Sequence, residues 1–533
     1  MHTQLAILGA GPGGYAAAFL AADLAVQVTL VDMDPRLGGC CLLRGCIPSK
    51  ALLHVAKTMA DAKHLAAWGV TYPNPAVNLA AMRAQKDKVI DTLAAGLKQL
   101  SSKRNVQVIH ARAIFQDSQT LRLLPSAVGS GQSAVGSRQS AVGSRQSAVG
   151  SRQSAVGREL STPHPHPSPL TPHPSPLTPH PSPLAPHPST LHVDHSILAT
   201  GSSPTRIPAL DLPSDRVLDS TAALELPDVP RSMLVVGGGY IGLELGTVYA
   251  ALGTRVSVVE LTDGLLPGVD RDLVNPLQKR LQSAFEAVYL GSKAVAIAAR
   301  QDQVEVMFEG DVPRPAQRFD RVLGCVGRRP NTENLGLENT RVELDRRGFV
   351  VVDNQQRTTD PHILAVGDVA GQPMLAHKAS HQGKVAVEAL LGELAAFEPR
   401  AIPAVVFTDP EIAWAGLTET DAKGQGRRVE VARFPWAASG RAQAVGRTEG
   451  LTKWLVDPET QHLLGCGIVG PGAGELIAEA VLAIELGASV RDLSHVIHPH
   501  PTLSETLANA AEVHLGTATD LYRPKRNKPH NPD

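Results

Sequence analysis

Cysteine is scarce in this sequence, with five residues among 533. So few cysteines exclude a small secreted fold that depends on several disulfides, and a chain of this length buries enough apolar surface to fold without them. We therefore expect a reducing, cytoplasmic compartment, where a disulfide would be catalytic or redox-sensing. Strand-like sequence already begins at Gln4, so no signal or transit peptide is expected.

An excess of charge is also missing, because 50 Lys and Arg residues balance 51 Asp and Glu residues. This balance argues against a general nucleic-acid binder and against electrostatic attachment to a membrane. No unbroken apolar run reaches the roughly 18 residues of a membrane span. We therefore predict a protein that binds neither nucleic acid nor a membrane. At about 150 residues per domain, its length suggests three or four domains.

Two low-complexity blocks, each with a seven-residue period, interrupt the chain at residues 125–190. The first repeats Ser-Ala-Val-Gly-Ser-Arg-Gln, and the second repeats Thr-Pro-His-Pro-Ser-Pro-Leu. A coiled coil is excluded, because one block carries a helix-breaking Gly in every repeat and the other is rich in proline. We predict a disordered insert that is biased towards polyproline II in its second half. Its histidines could bind a metal weakly, but a solvated tract is favoured and no metal site is predicted.

Two copies of a dinucleotide-binding pattern lie outside the insert. In the first, strand Leu5–Leu8 leads into Gly9, Gly11 and Gly14, and the next strand ends in Asp32. The first glycine makes the tight turn, the second lets the backbone approach a pyrophosphate, and the third lets helix and strand pack closely. The helix N-terminus offers free N–H groups to phosphate, and the carboxylate accepts hydrogen bonds from ribose hydroxyls.

The second copy contains Gly237, Gly239 and Gly242, and its second strand ends at Glu260. In both copies the acid follows the first glycine by 23 positions. A lone motif could be a structural glycine turn, but two copies with equal spacing predict two dinucleotide sites. A carboxylate at Glu260 would repel a 2′-phosphate, and residues 261–263 contain no Arg to receive one, so NAD is favoured over NADP.

Cys41 and Cys46 are separated by four residues. A disulfide between them would close a short, constrained loop and should be easily reduced. The predicted helix Ser49–Ala60 follows, so its N-terminus, with Arg44 and Lys50 nearby, favours thiolate over thiol. Two buried, reduced cysteines in a turn are the alternative. Of the remaining cysteines, Cys40 is predicted to be a bystander, and Cys325 and Cys466 are predicted to be core residues.

The segment from Cys41 through Cys46-Ile-Pro-Ser-Lys50, placed after an N-terminal glycine motif, resembles the flavin disulfide reductase family. The resemblance implies that the first motif holds FAD and the second holds NAD. It also implies that Cys41 meets the substrate, that Cys46 is the charge-transfer thiol against the flavin, and that Lys50 pairs with Glu244. The FAD residues implied are Gly9, Gly11, Gly14, Asp32, Lys50, Ala113, Gly201, Asp368 and Ala376. The NAD residues implied are Gly237, Gly239, Gly242, Glu244, Glu260 and Gly327.

A candidate acid–base pair lies near the C-terminus. A dithiol must lose protons before it attacks a disulfide, and histidine is the natural base near neutral pH. His500 and Glu505 match the family's His-Pro-Thr-x-x-Glu dyad, in which the carboxylate orients the imidazole. In relatives this dyad reaches the disulfide of the other subunit, so the resemblance implies an obligate homodimer. His495 and His498 are expected to be surface or structural residues.

Within the family, segments 239–249, 371–377 and 434–442 resemble the members that oxidise protein-bound dihydrolipoyl groups. This resemblance implies oxidation of dihydrolipoamide to lipoamide, with reduction of NAD+ to NADH. It also implies a lipoyl-bearing acyltransferase or carrier protein as partner, in 2-oxo-acid dehydrogenase or glycine-cleavage complexes. Two alternatives remain open: a reductase similar to mercuric or glutathione reductase, and a non-catalytic flavoprotein.

The expected fold class is α/β, with two Rossmann-like domains for FAD and NAD and a C-terminal α+β dimerisation domain. The insert lies between strand-like residues 120–124 and 191–193, which look like two strands of a hairpin. A long loop there costs little extra closure entropy. The expected divisions are residues 1–124 and 191–220 (FAD domain), 125–190 (insert), 221–345 (NAD domain), 346–398 (central segment returning to the FAD domain), 399–516 (dimerisation domain) and 517–533 (flexible tail).

Overall fold

A computed structural model describes residues 1–125 and 190–522 of the chain. The predicted insert, apart from its end residues 125 and 190, lies outside this part, as does the tail beyond residue 522. Among the described helices, none is both long and apolar enough to cross a membrane.

The N-terminal unit is a sheet with helices around the first glycine motif. Its elements are β1 (His2–Leu8), α1 (Pro12–Asp23), β2 (Val28–Asp32), α2 (Gly39–Arg44), α3 (Cys46–His64), α4 (Leu79–Lys103), β3 (Gln107–Asp117), β4 (Thr120–Pro125), β5 (Thr190–Leu198), β6 (Ser202–Pro204) and β7 (Val217–Leu218). β1 pairs parallel with β2 and β5. β3 pairs parallel with β2 and then antiparallel with β4. This order places the first glycine turn at the carboxyl end of a central strand.

The strands on either side of the insert are neighbours in this sheet. β4 and β5 pair antiparallel, with Thr120 opposite His192 and Arg122 opposite Thr190. The predicted hairpin is therefore confirmed. The sheet continues across the insertion point because these strands pair directly with each other.

The second unit repeats the strand–helix–strand arrangement. Its elements are α5 (Ser220–Leu224), β8 (Ser232–Val236), α6 (Tyr240–Ala251), β9 (Arg255–Val259), α7 (Arg271–Ala284), β10 (Ala287–Tyr289), β11 (Lys293–Ala299), β12 (Val304–Glu309), β13 (Ala316–Phe319), β14 (Arg321–Gly324) and β15 (Arg328–Pro330). A parallel sheet has the order β10-β9-β8-β14-β7, and β11 to β13 form a separate antiparallel sheet. Every residue of β8 is buried, as expected for a central parallel strand covered on both faces.

The chain then returns to the first sheet through β16 (Ile363–Ala365) and α8 (Ala376–Leu390). β16 pairs parallel with β5, and α8 packs against α1. The helices approach closely at Gly383, where an added Cβ would lie 2.5 Å from the carbonyl oxygen of Gly13. The return places the residues between β16 and α8 beside the first glycine motif.

The C-terminal unit is an antiparallel sheet packed against helices. Its elements are β17 (Ala404–Val406), β18 (Ile412–Gly416), α9 (Glu419–Gly424), β19 (Glu430–Pro435), α10 (Gly440–Ala444), β20 (Leu451–Val456), β21 (Leu463–Val469), α11 (Ala473–Glu485), α12 (Val490–Ser494) and α13 (Glu505–Leu515). The strand order is β17-β18-β21-β20-β19. The buried indole of Trp454 donates a hydrogen bond to the carbonyl of Leu507 and so joins the sheet to α13. The expected fold class is confirmed.

Candidate active site

A cavity of about 590 Å³ opens above the first glycine motif. α1 begins at Pro12 with neither a side-chain cap nor an acidic residue in its first turn, so its N-terminal N–H groups are available to phosphate. Two glycines allow backbone segments to approach here. A Cβ on Gly14 would lie 1.8 Å from the oxygen of Gly9, and one on Gly39 would lie 2.5 Å from the Cα of Gly11. A side chain on either glycine would collide with the neighbouring backbone and distort this turn.

The two acids of the dinucleotide patterns make equivalent hydrogen bonds. Each carboxylate accepts from the N–H of the residue after the first glycine, and from the N–H two positions beyond itself. The donors are Ala10 and Asp34 for Asp32, and Gly238 and Thr262 for Glu260. Burial raises the pKa of Asp32 above its usual value. The equal spacing seen in the sequence thus corresponds to equal local geometry in the two units.

Cys41 and Cys46 lie side by side on the cavity wall. Cys41 belongs to the short helix α2, and Cys46 is the first residue of α3. Both thiols are free and close enough to interact. Interaction with the Cys41 thiol lowers the pKa of Cys46 to about 7, and the Lys50 ammonium acts in the same direction. Interaction with Cys46, together with burial, raises the pKa of Cys41. In the reduced pair, Cys46 is therefore the residue that carries the thiolate.

The helix that starts at Cys46 is longer than the sequence predicted. We expected a helix over Ser49–Ala60, whereas α3 runs from Cys46 to His64. Pro48 does not delay the start, because proline is tolerated in the first turn, where its missing N–H has no partner to lose. Cys46 thus lies within the first turn, and the prediction that the pair is near a helix N-terminus is confirmed.

Lys50 lies one turn beyond Cys46 and pairs with a carboxylate from the second unit. Its Nζ is 2.8 Å from Oε2 of Glu244, whose side chain is buried on α6. The other oxygen of Glu244 accepts a hydrogen bond from the backbone N–H of Phe407, at 3.0 Å. Glu244 and Lys50 both line the cavity that contains the cysteines. Glu244, which the family resemblance groups with the NAD residues, therefore lies beside Lys50 on the wall of the cavity that contains the cysteines.

Asp368 also lines the cavity. Ser202 donates a hydrogen bond to this carboxylate, and Arg328 donates to the Ser202 hydroxyl at 2.7 Å. The same guanidinium donates to Cys40 Sγ at 3.4 Å. Cys40, interpreted from the sequence as a bystander, therefore belongs to a chain of contacts that ends at Asp368. The predicted site residues lining this cavity are Gly9, Gly11, Asp32, Cys41, Cys46, Lys50, Ala113, Gly201, Glu244, Asp368 and Ala376.

The second glycine turn has the same tight construction as the first. A Cβ on Gly242 would lie 2.5 Å from the oxygen of Gly237, whereas the space beside Gly239 is open. Gly237 also packs against the backbone of Cys325, which directly follows β14. Gly327 lies two residues further on, with φ of 112°, and its carbonyl accepts a hydrogen bond from Thr205. The position at Gly239, directly before α6, is therefore open, whereas Gly237 and Gly242 are packed against the backbone.

The histidine dyad forms within the chain but away from the cysteines. His500 Nδ1 lies 2.8 Å from Glu505 Oε1, and the N–H of Thr502 donates to the other carboxylate oxygen. Burial opposes the effect of these hydrogen bonds, but together they hold the pKa of Glu505 below its usual value. The His500 side chain is 79% exposed, and among the described residues it does not line the cavity of Cys41. One copy of the chain therefore does not bring the dyad to its own cysteine pair.

The other histidines and cysteines of the prediction are structural or exposed. His498 Nε2 lies 2.7 Å from a carboxylate oxygen of Glu479, and its side chain is largely buried. Cys466 is buried in β21, and Cys325 is half-buried, with a pKa that burial raises to about 12. Neither cysteine has the exposed, electropositive surroundings of a reactive thiol.

Three carboxylates, on Asp270, Asp272 and Glu419, lie close enough to hold a metal ion. The buried ammonium of Lys453 already lies among them, at 2.6–2.8 Å from an oxygen of each. These ion pairs join the start of α7 to the C-terminal unit. Lys453 therefore supplies the cation of this cluster, and the ion pairs connect two units of the fold.

Comparison with known proteins extends these observations. Residues 3–147 and 183–383 match the family "Pyridine nucleotide-disulphide oxidoreductase", and residues 402–511 match its dimerisation domain. Proteins named dihydrolipoyl dehydrogenase are 40% identical in Vibrio parahaemolyticus, over 99% of both chains, and 41% identical in Haemophilus influenzae, over 98% of both.

Two solved structures share the fold. LpdA from Mycobacterium tuberculosis has a TM-score of 0.78 at 25% identity, covering 96% of this chain and 99% of that one. The HOCl-induced flavoprotein disulfide reductase RclA from Escherichia coli has a TM-score of 0.75 at 24% identity, with coverages of 96% and 99%.

Proposed function

The chain belongs to the pyridine nucleotide-disulphide oxidoreductase family, in the group of the dihydrolipoyl dehydrogenases, and on this basis we propose that it oxidises protein-bound dihydrolipoamide. The overall reaction converts dihydrolipoamide and NAD+ into lipoamide, NADH and a proton. The observation that carries the proposal is the pair of free thiols, Cys41 and Cys46, on the cavity wall, with Lys50 one turn beyond Cys46.

FAD and NAD are the cofactors of this family. The cavity suits FAD because the first turn of α1 leaves its N–H groups available to a pyrophosphate, with Gly39 packed against the Gly11 backbone where a Cβ would not fit, and because Asp368 lines the same cavity. We assign the FAD residues of the sequence prediction to this cavity, and Gly237, Gly239, Gly242 and Glu260 to NAD. When bound, FAD accepts an electron pair from a dithiol and supplies a hydride to NAD+.

The two cysteines have different roles in the proposed reaction. One thiolate of the substrate attacks Cys41 in the Cys41–Cys46 disulfide, and Cys46 leaves as a thiolate. The second substrate sulfur then displaces Cys41, so that lipoamide forms and Cys41 takes up one proton. Cys46 is the better leaving group because its pKa of about 7 is the lower of the two. Lys50 stabilises the charge that Cys46 acquires.

The second proton of the dithiol requires a base, and we assign this role to His500. Glu505 holds the imidazole through Nδ1, which leaves Nε2 to accept the proton. The match to the dimerisation domain supports a homodimer. Because His500 is exposed and, among the described residues, does not line the cavity of its own chain, we propose that the dyad of one subunit serves the disulfide of the other.

The partners proposed are a lipoyl-bearing acyltransferase or carrier protein of a 2-oxo-acid dehydrogenase or glycine-cleavage complex. Such partners carry the dithiol on a swinging arm, which suits a disulfide on the wall of an open cavity. We propose the cytoplasm as the compartment, because five cysteines in 533 residues do not form a structural disulfide framework and a disulfide in a reducing compartment is usually catalytic.

Turnover by the FAD-loaded protein tests the proposal. With dihydrolipoamide as substrate, we expect NADH formation from NAD+, much slower reduction of NADP+, and no reaction when glutathione replaces dihydrolipoamide. Reduction of the nicotinamide cofactor by glutathione, or oxidation of NADPH by glutathione disulfide, would instead indicate another disulfide reductase. A yellow protein without turnover on any of these pairs would contradict the proposal and favour the non-catalytic alternative.

A further inference from the structure

Phe407 contacts both members of the ion pair next to the redox cysteines. Its backbone N–H donates to Glu244 Oε1 at 3.0 Å, while Lys50 binds Oε2 at 2.8 Å. The Lys50 ammonium also lies 4.5 Å from the centroid of the Phe407 ring. This distance is within the range at which a cation is attracted by the negative face of an aromatic ring. Phe407 therefore supports the pair in two ways, through its backbone and through its ring.

These contacts join three parts of the fold beside one sulfur atom. Lys50 lies on α3, one turn beyond Cys46, and Glu244 lies on α6 of the second unit. Phe407 directly follows β17 of the C-terminal unit. A lysine side chain has four rotatable bonds, and an ion pair with one carboxylate leaves its position loosely defined. The ring restricts the ammonium from a second direction.

Several charged or titratable groups surround Cys46. Cys41 faces it from α2 and Lys50 from its own helix, while Tyr15 on α1 and Glu244 and Tyr240 on α6 are also close enough to interact. Lys50 favours the thiolate, whereas the Glu244 carboxylate opposes it. The charge at Cys46 therefore depends on how the ammonium is placed between the sulfur and the carboxylate.

We propose that Phe407 is a positioning residue, whose ring holds the Lys50 ammonium where it stabilises the Cys46 thiolate. The inference rests on the proposed function, because it assigns Cys46 as the leaving thiolate of dithiol oxidation. It extends that function by giving the C-terminal unit a direct influence on the redox pair.

The test is a pH titration of the reduced, FAD-loaded enzyme, followed by the long-wavelength charge-transfer absorbance between thiolate and flavin. Phe407→Leu removes the aromatic face and keeps an apolar side chain, and Phe407→Tyr keeps the face. We expect Phe407→Leu to raise the titration midpoint by about 0.5 to 1 pH unit, as expected for the loss of one partly buried cation–π contact. Phe407→Tyr should titrate like the wild type.

A matched control is Phe19→Leu, since the guanidinium of Arg104 lies 5.0 Å from the centroid of that ring. This variant should leave the midpoint unchanged. If Phe407→Leu does not retain FAD, Phe407→Met provides a second non-aromatic side chain, and the same upward shift is expected.

The outcomes separate the inference from the proposed function. An unchanged midpoint in the non-aromatic variants, or an equal shift in Phe407→Tyr, would overturn the positioning role, while wild-type turnover would leave the proposed function standing. If the reduced wild-type enzyme shows no thiolate absorbance at any pH, the positioning role is contradicted, and turnover decides the proposed function separately.

Discussion

His500 and Glu505 are joined by a 2.8 Å hydrogen bond on an exposed surface of the chain. The carboxylate also accepts a hydrogen bond from the N–H of Thr502. Among the described residues, His500 does not line the cavity that contains Cys41 and Cys46. The proposed reaction therefore needs a second copy of the chain to bring its cysteine pair to this dyad.

The first prediction concerns this dyad. His500→Gln should lower kcat with dihydrolipoamide by about 10²- to 10⁴-fold, because no base then remains to take a proton from the dithiol. The variant should retain FAD and its dimeric state. When His500→Gln and Cys41→Ser subunits are coexpressed, only mixed dimers contain an intact site, and each has one such site. Random pairing should therefore restore activity at about a quarter of all sites. Mixed dimers without activity would contradict a site shared between subunits.

The second prediction concerns the choice of nicotinamide cofactor. Glu260→Ala should raise the KM for NAD+ by about 10- to 100-fold, because the ribose loses a charged acceptor. It should also reduce the preference for NAD+ over NADP+. Initial rates at varied concentrations of each cofactor measure both effects. Asp32→Ala is the matched control in the first unit, and there we expect weaker FAD retention. An unchanged KM for NAD+ in Glu260→Ala would show that the carboxylate serves only the turn of Gly238.

The third prediction concerns stability. Lys453→Met leaves three carboxylates without their shared ammonium, so it should lower the free energy of unfolding by about 3 to 5 kcal/mol. Denaturant unfolding measures the difference. Lys293→Met is the control, because Lys293 pairs with Glu309 on the surface and its removal should cost less than about 1 kcal/mol. Equal effects of the two substitutions would contradict the structural role given to the cluster.

The fourth prediction concerns the repeats between β4 and β5. Replacing residues 126–189 by a short glycine-rich turn should leave FAD content and turnover unchanged, because β4 and β5 already pair as antiparallel neighbours. A shorter loop lowers the entropy cost of closing the hairpin. FAD absorbance per chain and the thermal midpoint provide the measurements. Loss of FAD from the shortened chain would show that the repeats support the first unit.

The sequence predicted those parts of the site that depend on local patterns. Residues close together in the chain are enough to predict the glycine turns, the positions of Asp32 and Glu260, and the cysteine pair at the start of a helix. The pairing of β4 with β5 was predictable because alternating strand-like residues flank the insert.

Other features depend on contacts between distant residues and leave no local signal. Lys453 is a charged residue that a local pattern would leave in solvent as lysines usually are, and its partners Asp270 and Asp272 are more than 180 positions away. Phe407 looks like a core aromatic residue after a short strand, and only the fold brings it to Lys50. Both sets of contacts join residues from different units of the fold, so only the structure reveals them.

The central claim is that Cys41 meets the substrate while Cys46 is the internal thiol, and trapping with lipoamide tests it most directly. In Cys46→Ser, Cys41, once deprotonated, should open the lipoamide disulfide and form a mixed disulfide that Cys46 can no longer resolve. Iodoacetamide then caps the free lipoyl sulfur, and mass spectrometry locates the adduct. The account predicts an adduct on Cys41 in Cys46→Ser and none on Cys46 in Cys41→Ser. An adduct on Cys46, or equal labelling of the two cysteines, would contradict it.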